Sequence, residues 1–226
     1  LDESPNSGWI RGASTVQWNY VRKLLGELAR LRGDLPELVA SARDLGNHHE
    51  YVSLGALRAF TLAVYGEVAP ARRLLGELRE QWQSRQVTFQ HIILAMAAVE
   101  IALLEGDAAE AIVAVEHVLG DTKTRIVATM MPSHVDFYEL RGRSRVQAAL
   151  AGVETERSLA LIRRDLARLR RSHKPQIGAQ ALVIAAGLHA CMNEPAKAEA
   201  SWREAAARFE KLGMAAHLAA VRMRLG

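Results

Sequence analysis

The chain has 226 residues, half of them apolar, which is ample for a core, and 29 Lys plus Arg against 25 Asp plus Glu leave a net charge of only +4. So small an excess gives no ground for a nucleic-acid partner, and the single cysteine, Cys191, excludes an internal disulfide framework or cysteine-based zinc site. No apolar run reaches the roughly 18 residues of a membrane helix, because the stretch from Ile92 to Ala102 is broken at Glu100.

A lone cysteine and no basic-then-apolar leader make the cytoplasm the expected location. The start at Leu1, without methionine, suggests a piece of a longer protein.

Alanine and leucine dominate, and apolar residues recur every three to four positions almost throughout, so an all-α chain is expected. The first helix is expected over 14–32, closed by Gly33-Asp34, and the second over 35–46 with Pro36 in its first turn. Helices over 48–65 and 69–85 flank Gly66-Glu67. The next pair, 88–105 and 108–119, flanks Gly106-Asp107, and its first member is apolar around nearly its whole circumference, as an inner helix packed on both sides would be.

A long pattern over 123–151 contains Pro132, which lacks an amide and should split it, with Ser133 near a new helix start. Helices over 154–172, 175–192, 195–212 and 214–225 complete the chain, with breaks at Gly152-Val153 and Asn193-Glu194.

Breaks at 33, 66, 106, 152 and 193 lie 33, 40, 46 and 41 residues apart, with two helices in each interval. That period points to an α-solenoid, a right-handed superhelix of about five degenerate tetratricopeptide-like hairpins forming one domain over 1–226. Ala71, Ala111 and Ala198 stand five residues past their breaks, where a small side chain lets the second helix approach the first; Leu38 and Arg157 hold that place in the other two intervals.

Few residues suggest chemistry. His48-His49-Glu50 resembles a metal ligand set, but successive helical residues point about 100° apart and no i, i+4 partner accompanies them, so neither metal nor cofactor is expected. Arg43-Asp44-Leu45 and Arg164-Asp165-Leu166 lack the flanking histidine and asparagine of a kinase catalytic loop, and no phosphate-binding glycine loop exists. No enzyme is expected within this segment.

His134, Tyr138, Arg141 and Arg145 are spaced by four, three and four, and Tyr51 with Arg58 makes a shorter stripe. On the groove-lining helix of a solenoid such residues would grip a protein or peptide; exposed polar side chains or inter-repeat hydrogen bonds are the plainer explanation. The basic run of Arg163, Arg164, Arg168, Arg170, Arg171 and Lys174 fits the solvated face of a helix that buries Ile162, Leu166 and Leu169. An acidic partner or nucleic acid is its alternative use. Leu218, Val221 and Leu225 could pair two copies through exposed end repeats.

The segment from Leu54 to Ala111, with Ala69-Pro70-Ala71-Arg72-Arg73-Leu74-Leu75-Gly76-Glu77-Leu78, Gln81-Trp82, Phe89-Gln90-His91 and Ala102-Leu103-Leu104-Glu105-Gly106-Asp107, resembles the C-terminal tail of large bacterial serine/threonine protein kinases. The stretch Ala205 to His217 and the closing Arg222-Met223-Arg224-Leu225-Gly226 resemble the last repeat of such tails. Kinases of this family carry an N-terminal kinase domain, a central ATPase module and a tetratricopeptide-like tail. The resemblance implies a non-catalytic regulatory domain in signalling that binds a protein or peptide, or the kinase or ATPase module of its own chain. The tails of ATPase-linked transcriptional activators look similar, and there the domain would sense a ligand.

Overall fold

Alanine and leucine lose little side-chain freedom in a helix, and the chain takes that form almost throughout. The computed structural model describes residues 5–82, 84, 86–129 and 136–226. Among the described residues there are twelve helices and no strand. They are α1 (Pro5–Leu25), α2 (Leu28–Asp44), α3 (His48–Val64), α4 (Val68–Gln81), α5 (Phe89–Glu105) and α6 (Ala108–Gly120), then α7 (Thr122–Thr129), α8 (Asp136–Leu150), α9 (Thr155–Leu169), α10 (Pro175–Cys191), α11 (Pro195–Lys211) and α12 (Ala215–Leu225). None is long and apolar enough to cross a membrane.

The helices pack in neighbouring pairs: α1 with α2, α3 with α4, α5 with α6, α8 with α9 and α10 with α11. The first members also touch in series, α1 to α3 to α5 to α8 to α10.

One type of corner recurs. At Gly106 the backbone turns left-handed, with φ of 82°, and the Asp107 amide donates to the Ala102 carbonyl at 2.9 Å, satisfying a group the helix end would leave open. Glu27, Asn47, Glu67, Val153, Glu194 and Met214 make the same bond five residues back. Asn193 replaces glycine at one corner, with φ of 58°, because its short amide side chain tolerates this conformation.

The break expected at Gly33-Asp34 is a correction. α1 ends at Leu25, Gly26 makes the corner, and Gly33 lies inside α2. Leu31, Leu35, Val39 and Ala42 form a buried row that passes through Gly33, and their burial outweighs the roughly 1 kcal/mol that a helical glycine costs. Pro36 also lies within α2 rather than in its first turn; it is exposed, so the Arg32 carbonyl it leaves unbonded is on the solvent side. The small-residue position is fully buried at Ala71 and Ala111 and nearly so at Ala198. The split of the 123–151 pattern falls between α7 and α8, while Pro132 and Ser133 themselves lie outside the described residues.

Four adjacent apolar clusters form the core. α5 joins the first two, giving Ile93 and Ile101 to one and Ile92 and Val99 to the next, which accounts for its apolar circumference. The third sits between α9 and α10, and the fourth holds Phe209, Met214 and Val221. Val221, expected at an end surface, is therefore interior and unable to join an interface. At the other end, a methyl group built on Gly26 would lie 2.6 Å from the Ala216 amide nitrogen, so the α1 corner rests against the start of α12 and the first and last helices meet.

Candidate functional site

With α1 against α12, the first members of the pairs turn one face each toward a central cavity of about 670 Å³. This lies within the range of small-molecule sites. Its apolar walls include Tyr20 of α1, Phe60 of α3, Met96 of α5, Leu140 of α8, Val183 of α10 and Trp202 of α11. Val21, Leu104 and Arg224 line it yet are exposed, and mark where it opens.

Charged groups that water would normally hydrate are drawn into this space, and most are paired. Lys23 Nζ lies 2.6 Å from both carboxylate oxygens of Glu100 and 4.1 Å from the centre of the Phe60 ring. Arg143 lies 3.5 Å from Glu139, one helical turn away on α8. Burial pushes the Glu139 carboxyl above its ordinary range, against the pull of Arg143.

Asp136, at the start of α8, is pushed up to about 7, first by burial and then by Glu139, with Lys174 and Lys23 opposing. His217 of α12 stacks on Phe209 with ring centres 5.1 Å apart, and burial, aided by Arg143 and Lys23, brings it down to about 4. It is therefore a neutral imidazole at pH 7. Tyr20 is also raised, by burial and then by Glu100, so its hydroxyl keeps its proton. Among the described residues no group of His, Cys, Asp and Glu could hold a metal ion.

The residues singled out from sequence lie elsewhere. Arg141 is 3% exposed and grips Asp165 of α9 through two 2.6 Å hydrogen bonds, with Glu116 of α6 at 3.5 Å. Arg145 is 2% exposed and reaches Glu154 at 2.7 Å and Glu116 at 3.1 Å. Tyr138 is half-buried beneath the guanidinium groups of Arg141 and Arg168, at 5.6 and 4.7 Å. This stripe joins α8 to α6 and α9, so Arg141 and Arg145 cannot greet a partner; they tie one helix pair to the next.

Tyr51 is buried in the first core cluster, and Arg58 borders a smaller cleft of about 180 Å³ between α2 and α3. His134 lies outside the described residues. Arg163, Arg164, Arg168, Arg170 and Arg171 are exposed opposite buried Ile162, Leu166 and Leu169, as an amphipathic helix arranges them. Lys174 alone of that run reaches the cavity lining. His49 packs edge-on against Trp82, with ring centres 5.1 Å apart.

The cavity residues Lys23, Glu100, Asp136, Glu139, Arg143 and His217 were missed. Glu100 carried a usable signal: a single carboxylate in an otherwise apolar inner helix must find a buried cation. On α8, Asp136, Glu139 and Arg143 follow one another at three and four positions, a second stripe on a different face from Tyr138, Arg141 and Arg145. Comparison of the chain with known protein families, with curated proteins and with solved structures finds no match.

Proposed function

We propose that this chain is a non-catalytic, tetratricopeptide-like α-solenoid with a right-handed superhelix, and that it regulates an attached module by taking a small molecule into its central cavity. The repeated corner and the paired packing support the solenoid. The cavity itself carries the functional reading. About 670 Å³ lined by aromatic and aliphatic walls, with a few convergent polar groups, suits one metabolite better than an extended peptide. Its charges neutralise one another in the Lys23–Glu100 and Arg143–Glu139 pairs, an arrangement suited to orienting a ligand rather than transforming it.

Resemblance to bacterial serine/threonine kinase tails supports a cytoplasmic parent kinase with a central ATPase module; an ATPase-linked transcriptional activator is the alternative parent. A ligand sensor serves either. A protein partner is the second reading, favoured by α1, which turns Ile10, Trp18 and Val21 to solvent on one face at 57%, 60% and 42% exposure. The kinase or ATPase module of the same chain could cover that face.

A thermal-shift screen with a library of metabolites tests the ligand reading, using the cavity-filling substitution Ala220→Phe as the control. Stabilisation of the wild type that disappears in this variant is the expected result. Hits that stabilise both proteins equally, or no hit at all, would count against a ligand in the cavity.

A further inference from the structure

Resting on the small-ligand reading, the unmatched polar atoms of the cavity narrow the ligand's chemistry. Of the lining cations, Lys23 and Arg143 are engaged by Glu100 and Glu139, Lys174 lies beside Asp136 just before α10, and Arg224 stands at the mouth. Among the described residues Asp136 has no ion-pair partner, although it lies on the same lining as those pairs. Gln180 Oε1 and His217 Nδ1 are buried without a hydrogen bond, and both atoms belong to cavity-lining residues. A neutral imidazole protonated at Nε2 leaves Nδ1 as an acceptor.

Ionised Asp136, Gln180 Oε1 and the Nδ1 of that tautomer are all hydrogen-bond acceptors, and a buried acceptor left unmatched costs about 1–3 kcal/mol. A ligand carboxylate would add a fourth acidic group beside Glu100, Asp136 and Glu139. A ligand bearing N–H donors would satisfy the site, and the walls of Tyr20, Phe60, Met96 and Trp202 ask for an apolar body beside them.

We propose that the cavity binds an amphiphilic primary amine, its ammonium held by Asp136 with the acceptors of Gln180 and His217, and its aromatic or aliphatic body packed against the apolar walls.

The surrounding charges give this site a pH signature. Asp136 faces Glu139 on its own helix, Lys23 from α1, Glu100 from α5 and Lys174 from just before α10. Arg143 of α8, His217 of α12 and the protonated Tyr20 hydroxyl of α1 complete the charged and titratable lining, with Arg224 at the mouth. Near pH 7 the Asp136 carboxyl is partly protonated, and an ammonium must draw that proton off. Amine affinity therefore rises from pH 6 to 8, where the amine itself stays charged.

Calorimetric titration of the whole chain with 2-phenylethylamine, 2-phenylethanol and 3-phenylpropionate tests the assignment, because the three share a body and differ in head group. The amine is expected to bind about tenfold or more tightly than the alcohol, with the acid weakest. Asp136→Asn should remove that margin by weakening the amine far more than the alcohol, and should abolish the pH dependence. Gln180→Leu should weaken the amine more than the alcohol, which keeps the test open should the first variant fold poorly. Equal binding of all three, or preference for the acid, overturns the amine assignment while sparing the small-ligand reading. Binding of none at millimolar concentration overturns it too, and if the metabolite screen is equally blank the small-ligand reading falls with it.

Discussion

Arg141 and Asp165 show how a polar residue chosen for recognition can serve architecture instead. Their side chains are 4% and 0% exposed, and two 2.6 Å hydrogen bonds hold the guanidinium against the carboxylate. Removing one partner strands the other's charge away from water, at a cost of roughly 3–5 kcal/mol, whereas exchanging both for apolar groups of similar volume costs far less. Asp165→Ala is therefore expected to lose about that much stability in urea unfolding, and Arg141→Met with Asp165→Leu to recover most of it. A loss below about 1 kcal/mol in the single variant would mean that Glu116 already satisfies Arg141. Sequence could not distinguish the two charged stripes of α8, since Asp136, Glu139 and Arg143 flank the apolar row of Phe137, Leu140 and Ala148 on one side and Arg141 and Arg145 on the other, so both lie close to the core.

At the scale of the element, contact between first members of pairs depends on missing side chains. A methyl group built on Gly187 of α10 would lie 2.5 Å from Val146 Cγ1 of α8, and one on Gly142 of α8 would lie 2.8 Å from Ile184 Cδ1 of α10. The two helices press together through reciprocal glycines. Gly187→Ala should cost about 1–3 kcal/mol by overpacking, despite alanine's better helix propensity, and Val146→Ala should restore part of it. A Gly187→Ala variant as stable as the wild type would show that α8 and α10 have room to part. Most helix limits were legible from glycine-acid breaks and apolar spacing. Gly26-Glu27 and Gly33-Asp34 carry the same local signal, and only the row from Leu31 to Ala42, once packed, shows which becomes a corner.

For the whole molecule, the decisive contact joins Gly26 to Ala216, from opposite ends of the chain. No local pattern encodes that approach, so the sequence suggested stacked hairpins with an open groove and left the chamber unseen. Once the ends meet, residues scattered from α1 to α12 share one lining. Lys23, Glu100, Asp136 and His217 become neighbours although each looks solitary in the sequence. Solvated, such charges would gain little from one another; drawn together beside apolar walls, they form an environment that can select a ligand.

Methyl-resolved NMR of the 24.8 kDa chain, titrated in turn with 2-phenylethylamine and 2-phenylethanol, tests that central claim most directly. Ligand in the cavity should shift the methyl signals of Val16, Ile93, Leu140 and Val183, which line it, and leave Ile162 and Leu169 of the α9 core unmoved. Shifts confined to the exposed face of α1, at Ile10, or no shift at saturating probe, would contradict a ligand-binding chamber between the inner helices.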